Sequence, residues 1–316
     1  MIRDSKILIR QPFSEQYTLT IQSELDGVDV FITSEVQLRY DFHVLRVDDK
    51  QLEIRLVQLD NVLLEANNPM VREVAQVSQL FGRMYNELHL LLDHSGKVID
   101  VLNNAFILSK WKQTKAEMDK HIAANDDLKN AIILNDNIFT DPEKIKIAVQ
   151  ANEFLRIYFG QVYNKDLPKR ETVKGTNIFN TENMEWRLNI SSSVSLPASA
   201  AVQSVTIKTI ADPGVAIDRS FIKSAYSHFA NKIELKELKP KLGQFETRII
   251  AYQTGRLQEA EVEKLEIADE KKLYSKLRYI LESDGGISLK ENDNQTDNAE
   301  ALQSPKEEGP REYRFF

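Results

Sequence analysis

The sequence predicts an α+β fold in which a long, twisted antiparallel sheet carries helices packed on one face. Apolar and polar residues alternate over long stretches of the first and last thirds of the chain, which is typical of antiparallel strands with one face in water. In the middle third, apolar residues recur every three to four positions, which is typical of amphipathic helices. The alternation leaves open whether the sheet curves far enough to form a half-barrel.

Composition and charge exclude several classes of protein. The 316 residues include no Cys, which excludes a disulfide framework, thiolate metal ligation and a cysteine nucleophile. A formal net charge of −7 argues against a general nucleic-acid binder. No apolar run is long enough to predict a transmembrane segment. The start of the chain shows no signal-peptide pattern, so a cytoplasmic location is expected, with a periplasmic or envelope location as the alternative if a leader has been removed.

Long alternating stretches near the start of the chain predict three strands. They cover residues 17–22, 28–44 and 52–59. A strand over 28–44 would extend roughly 55 Å, so it is expected to twist or to contain a bulge. In the third strand the apolar positions follow Leu52, Ile54 and Leu56 and then slip in phase to Val57 and Leu59, which predicts a bulge.

Two residue pairs predict the beginnings of helices. Asn68-Pro69 is typical of an N-cap followed by proline at the first helical position. The apolar stripe of this helix consists of Met70, Val74, Val77, Phe81 and Met84. Asp141-Pro142 predicts a second such start, for a helix that continues to Leu167-Pro168. Between these two lie a predicted hairpin over 88–102, a helix from about 107 to 123 and an ambiguous segment over 128–134.

The second half of the chain returns to strands from about Glu171. Alternation and turn signals predict five further strands: 184–190, 202–211, 245–252, 257–267 and 273–281. Asp218 is predicted to cap a short helix between the second and third of them. The order of elements in the two halves is similar, so the sequence leaves open whether residues 1–135 and 136–282 are two related halves of one domain over 1–282.

The last segment, residues 283–316, differs from the rest in composition. It has few apolar residues before its end, and it holds eight acidic and four basic residues. This composition predicts a disordered acidic tail. The tail ends in an aromatic and basic group, Tyr313, Arg314, Phe315 and Phe316.

No motif in the sequence predicts catalysis, a metal site or a cofactor. The five histidines are dispersed, with no pair at a spacing that would chelate a metal. The serines at 191–193 lack the Gly-x-Ser-x-Gly turn that exposes a nucleophile. We therefore expect that the protein is not an enzyme and has neither a metal nor a cofactor.

Three stretches resemble uncharacterised β-rich, lipoprotein-like proteins of Bacteroidota. They are the alternating residues 17–65, the sequence LLLDHSGKVIDVLN at 90–103, and the hairpins of 244–282 with YQTGRLQEAEVEKLEI at their centre. The resemblance implies a bacterial protein with a long curved antiparallel sheet and helices against one face. It implies no activity. The chain departs from that pattern because it has no leader and no lipid-accepting Cys, which puts an envelope location in doubt.

Two functional hypotheses follow. The first is a non-enzymatic interaction protein, a scaffold or adaptor, that captures a protein partner with the tail residues Tyr313, Arg314, Phe315 and Phe316 as anchors. The second is a carrier of an apolar small molecule or lipid held between the curved sheet and the helices. Its predicted lining consists of Val36, Leu38, Tyr40, Phe42, Met184 and Trp186.

Overall fold

The computed structural model describes residues 6–118, 126–195 and 203–286. The chain divides into one unit, Met1–Asp284, and a second unit, Gly285–Phe316. From residue 287 onward the predicted tail lies outside the described residues, and its disorder stays a prediction.

Eleven strands form a single antiparallel sheet in the described part of the chain. They are β1 Phe13–Gly27, β2 Phe31–Val47, β3 Gln51–Ala66, β4 Glu87–Asp93, β5 Val98–Val101, β6 Lys169–Thr176, β7 Asn183–Ser195, β8 Ser204–Pro213, β9 Lys241–Ala251, β10 Leu257–Asp269 and β11 Leu273–Ser283. Their spatial order is β5-β4-β3-β2-β1-β11-β10-β9-β8-β7-β6, so the sheet is open, with β5 and β6 at its edges. The predicted α+β class and antiparallel sheet are confirmed, and each predicted strand overlaps one of these strands.

Six α-helices accompany the sheet in the described residues. They are α1 Pro69–Gly82, α2 Asn104–Met118, α3 Asp126–Phe139, α4 Pro142–Gln150, α5 Glu153–Phe159 and α6 Arg219–Ala225. None of them combines the length and apolar character that spanning a bilayer requires. The ambiguous segment 128–134 lies within α3.

The connection between β5 and β6 brings helices against the sheet. These strands are consecutive in the chain but lie at opposite edges, ten strand spacings apart, which is roughly 48 Å measured along the sheet. The chain between them carries α2 to α5 back across the sheet. Pairing of Tyr17 with Tyr40 places both rings on one face, and there they pack on Phe154 of α5, with ring centroids 5.6 and 4.8 Å away. We call this the inner face.

The α6 region also lies on the inner face. Leu25 of β1 pairs with Ser275 of β11, which pairs with Glu266 of β10, so the register places Glu266 on the same face as Tyr17. The hydroxyl of Tyr226, directly after α6, donates to Glu266 at 2.6 Å. The expectation that helices pack on one face therefore holds for α5 and the α6 region.

The bulge predicted in the third strand is present. Gln58 pairs with Tyr40 and Asp60 pairs with Arg39, so Leu59 has no partner in β2. The extra residue changes which side chains of β3 reach the inner face. The apolar phase in the sequence changes at Val57, which still pairs with Asp41, so the bulge lies two residues further along the strand.

The prediction of one helix from residue 142 to 167 is wrong, because the chain breaks into α4 and α5. The side chain of Asn152 caps α5 by accepting a hydrogen bond from the Leu155 amide at 3.3 Å. Gly160 ends α5 with a φ of 52°. A Cβ at Gly160 would lie 2.4 Å from the guanidinium of Arg248, so only glycine fits there.

The first helix begins as predicted, with the Asn68 side chain accepting from the Met70 amide at 2.9 Å. It lies along the part of the β3 edge that β4 leaves unpaired, since Gln79 Nε2 donates to the Asn61 carbonyl at 3.1 Å. Its apolar stripe is divided. Met84, just beyond the helix, is buried, whereas the N-terminal members of the stripe are exposed: Met70 by 68%, Val74 by 62% and Val77 by 43%.

Candidate ligand-binding pocket

A pocket of about 480 Å³ lies on the inner face between the sheet and α5. One wall consists of side chains from two neighbouring strands: Gln244, Glu246, Arg248, Val262 and Lys264. The opposite wall comes from α5 and the segment that follows it: Leu155, Arg156, Ile157, Phe159, Gly160, Gln161, Tyr163 and Lys165. Gln150 and the β4–β5 turn, residues 95–97, complete the lining.

The strand wall is unusual because polar side chains occupy the inner face. Gln244 pairs with Lys264, Glu246 with Val262 and Arg248 with Ala260, and all six share the face that carries Leu281 and Leu19. Elsewhere on this face the residues are mainly apolar and buried. Polar groups are placed in such positions at a cost in free energy, so each needs a partner or a function.

Arg248 has its partners within the protein. Its side chain is 1% exposed, its Nε donates to the Ile157 carbonyl at 3.1 Å, and its Nη1 lies 2.5 Å from Glu246 Oε2. The bond to Ile157 connects β9 with α5 and so fixes the two walls of the pocket relative to each other. Arg248 and Glu246 therefore compensate each other's charge within the protein.

Lys264 and Arg156 are different, because neither forms an ion pair in the part of the chain that the structure describes. Lys264 comes from β10 and Arg156 from α5, and both line the same pocket. Burial lowers the pKa of Lys264, and the positive charge of Arg156 lowers it further. The negative charges of Glu246 and Glu153 act in the opposite direction. The pocket thus has five basic lining residues and one acidic one.

Glu153 lies close to this pair but forms no ion pair with either residue in the described part of the chain. Burial raises the pKa of Glu153, against the opposing effect of Arg156, a hydrogen bond from Tyr279 and the charge of Lys264. The Tyr279 hydroxyl donates to Glu153 Oε1 at 3.5 Å, and Lys264 Nζ lies 5.9 Å from the centre of the Tyr279 ring.

A buried hydroxyl lies beside the pocket wall. Thr209 of β8 pairs with Glu246, and it is 2% exposed. Its Oγ1 has no hydrogen-bond partner among the described residues. The inner face therefore has an unsatisfied polar atom one strand away from the charged wall.

A second concavity, of about 540 Å³, lies mainly on the opposite face of the sheet. A row of residues crosses six strands there: Phe245, Glu263, Arg278, Gln22, Glu35 and Glu65. Its charges pair with one another, as Arg278 Nε donates to Glu261 at 2.6 Å and Lys276 Nζ lies 3.0 Å from Glu24. These are solvent-exposed ion pairs between side chains of neighbouring strands, which are common on the face of a sheet that contacts water.

The predicted lining residues of a carrier do not surround one cavity. Leu38, Tyr40 and Phe42 fill the core against α5, with the Phe42 and Tyr158 rings 4.8 Å apart. Val36, on the same strand, is only partly buried. Met184 and Trp186 are buried on β7, and five strands separate β7 from β2. None of the six lines the inner-face pocket, and the tail residues Tyr313, Arg314, Phe315 and Phe316 lie outside the described residues.

The sequence did not predict the position of Lys264, because the apolar Leu265 and Ile267 beside it indicate the opposite phase. In the structure Val262 and Glu266, two positions away on either side, are both buried, and β10 places Lys264 on the inner face. Arg156 was not predicted either, because its place in the pocket depends on the break between α4 and α5. Within the described residues, no three His, Asp or Glu side chains converge in a way that could hold a metal ion.

Comparison with known proteins assigns neither a family nor a function to this chain. No protein-family model matches the chain. No curated protein matches it either. One similar solved structure concerns lipid–protein interactions in lipovitellin; it shares 10% identity and a TM-score of 0.36, over 87% of this chain and 25% of that one. The chain thus spans about a quarter of that protein's length, and a TM-score this low supports no conclusion about fold or function.

Proposed function

We propose that this protein is a non-catalytic carrier that holds a small, partly apolar molecule between the sheet and the helices. The observation that carries the proposal is the inner-face pocket of about 480 Å³, which lies within the usual range for small-molecule sites. Leu155, Phe159 and Val262 supply apolar surface, and polar side chains lie among them. A sheet that curves as a half-barrel would deepen the pocket, and that curvature remains a prediction.

The lining supports binding rather than catalysis. Ser95 is the only hydroxyl-bearing aliphatic side chain among the lining residues, and no histidine accompanies it. A nucleophile without a base in hydrogen-bond reach is weak at neutral pH. The aromatic core around Tyr17, Phe42 and Tyr158 is closely packed, which holds α5 at a fixed distance from the sheet.

A pocket-filling variant tests the proposal. Gln244→Trp places a large ring in the pocket, whereas Thr247→Trp places the same ring on the opposite face of β9. We expect wild-type protein purified from its natural host to carry a bound molecule of a few hundred daltons in native mass spectrometry. The Thr247→Trp protein should retain it and the Gln244→Trp protein should lose it. An unliganded wild type that also binds no amphiphile in titrations would refute the carrier function.

The second candidate function is an adaptor that docks a protein partner, and the exposed half of α1 favours it. Met70, Val74 and Val77 form an apolar stripe on a helix in which no residue is buried. Apolar stripes of this kind commonly mark interaction sites. The tail residues 313–316 remain predicted anchors for the same function.

A further inference from the structure

We propose that the inner-face pocket recognises an organic anion, either a carboxylate or a phosphate monoester, and that Arg156 and Lys264 bind its charged group. This inference rests on the proposed carrier function, and it adds the chemical class of the ligand. It concerns two residues on opposite walls of the pocket, one on α5 and one on β10.

The first support is that two like charges share one partly enclosed site. Lys264 and Arg156 line the same pocket, and burial, followed by the positive charge of Arg156, lowers the pKa of Lys264. Bringing two cations together costs free energy, and the cost grows as water is excluded. An anion bound between the two cations is attracted by both of them. The unliganded pocket therefore favours the binding of a negatively charged group.

The second support is that the nearby acidic residues have other partners. Glu246 is bound to Arg248, and Glu171 is bound to both Lys165 and Lys169. Glu153 holds its proton more tightly than usual because it is buried, and it forms no ion pair in the described residues. Although the charges of Glu153 and Glu246 act on Lys264, no carboxylate in the described part of the chain forms an ion pair with Lys264 or Arg156, so both remain available to a ligand anion.

The third support is the geometry of the donors. A guanidinium offers parallel N–H groups that match two oxygens of a carboxylate or phosphate, and an ammonium adds a compact charge. Gln161 and Gln244 line the pocket with further amide donors. Leu155 and Val262 provide apolar surface for the rest of the molecule.

The test uses three ten-carbon probes that differ only in the head group: decanoate, decyl phosphate and 1-decanol. Isothermal titration calorimetry compares the full-length protein with Lys264→Gln and Arg156→Gln. We expect at least one of the anions to bind about tenfold more tightly than decanol, with each variant losing about tenfold for that anion. Decanol affinity should not change in either variant, because the neutral head group gains nothing from the cations.

Lys276→Gln is the matched control. It removes one positive charge from the neighbouring strand, but Lys276 lies on the opposite face and is paired with Glu24. Its affinity for every probe should equal that of the wild type. A loss of affinity in this variant would show that the effect comes from net charge rather than from the pocket.

A pH series separates recognition by Lys264 from simple packing. Glu153, Arg156, Glu246 and Tyr279 face this lysine. Burial and the charge of Arg156 lower its pKa, whereas the charges of Glu246 and Glu153 raise it, and the net direction is down. A bound anion favours the protonated lysine, so affinity for an anion should fall as pH rises through the pKa of Lys264. The Lys264→Gln protein should lack this dependence.

The outcomes distinguish the two proposals. Equal affinity for all three probes in the wild type, or an unchanged anion affinity in both Lys264→Gln and Arg156→Gln, overturns anion recognition while leaving the carrier function in place. Failure of all three probes to bind overturns the carrier function as well.

Discussion

Glu266 joins three parts of the molecule through one buried carboxylate. It is fully buried on β10 and accepts hydrogen bonds from Asn177 Nδ2 at 2.9 Å and from the amides of Ile178 and Phe179 at 2.6 and 3.0 Å. The Tyr226 hydroxyl supplies a fourth bond, and burial together with the charge of Glu266 raises the pKa of Tyr226. The tyrosine therefore remains protonated and able to donate, so the β6–β7 turn and the α6 region are both attached to the sheet.

Replacement of Glu266 by glutamine should destabilise the protein strongly. All four partners of Glu266 donate hydrogen bonds to its two oxygens. Glutamine has only one oxygen, and its NH₂ group cannot accept, so at least one of the buried donors would lose its acceptor. We expect a loss of about 3 kcal/mol in the free energy of unfolding, measured by urea denaturation. Glu259→Gln is the control, because Glu259 is exposed on the same strand. A loss below about 1 kcal/mol for Glu266→Gln would contradict the role assigned to this carboxylate.

Single residues were predictable where their role is local. Asn68 was predicted as a cap, and the pair Thr254-Gly255 between two predicted strands is likewise a turn signal, because each acts on its immediate neighbours. Gly255 has a φ of 69°, and a Cβ there would lie 1.9 Å from the Leu8 carbonyl oxygen. Glu266 gave no signal, since its hydrogen-bond partners lie 40 or more residues away in the chain.

Among the helices and strands, α1 has an exposed apolar stripe that packing within the protein does not account for. It protects the free edge of β3, which is a common way to prevent strands from pairing between molecules. Edge protection does not require an apolar outer stripe. Val74 is exposed, and Leu64 of β3, ten residues earlier in the chain, is 50% exposed. An adaptor would use this exposed apolar stripe of α1 to contact its partner.

Placing a charge on this stripe tests the adaptor function. Val74→Glu should leave the free energy of unfolding within about 0.5 kcal/mol of the wild type, because the side chain is already mostly in water. It should weaken capture of a protein partner from the natural host by about tenfold or more in quantitative pull-downs. Arg72→Glu, on the same helix, should leave capture unchanged. Equal capture by Val74→Glu would remove the support that α1 gives to an adaptor.

Elements were predicted well where the apolar period extends over many residues, and less well where a short polar signal interrupts it. The strands follow the alternation closely, including the bulge at Leu59. The break at Asn152 was missed because apolar residues continue on both sides of it, so the period alone indicates one helix. The pocket depends on that break, because it turns α5 and Arg156 toward β9 and β10.

For the molecule as a whole, the sheet consists of two meanders that join at the first and the last strand. β2 to β5 extend from one side of β1, and β10 to β6 extend from one side of β11. The seam is long: it runs from the pair Tyr17–Ser283 to the pair Gly27–Leu273. Leu19 and Leu281 are fully buried where they meet.

Hydrogen exchange should rank the strands by their distance from the seam. Amides of β1 and β11 have long partners on both sides and a packed face, whereas β5 is four residues long and β6 is an edge strand with a mostly exposed pattern. Mass spectrometry should find exchange in β1 and β11 slower by about tenfold or more than in β5 and β6. Slower exchange at either edge than at the seam would show that stability is centred elsewhere.

The local hairpins of this sheet could be predicted from the sequence, but its seam could not. Each hairpin joins strands that are close in the chain, and a turn signal between two alternating stretches is enough to pair them. Nothing in the alternation of β1 specifies β11, since any strand with the same pattern would fit beside it. The placement of α2 to α5 across the sheet depends on that seam, so the alternation of the strands could not predict the pocket either.

The pairing of β1 with β11 also delays completion of the sheet until Leu273–Ser283 has been synthesised. The ribosome releases Phe13–Gly27 long before Leu273–Ser283 is translated, so one edge of β1 stays unpaired during that interval. An open edge in a nascent chain invites pairing with neighbouring copies. Chaperones that shield this edge during translation should therefore raise the yield of folded protein.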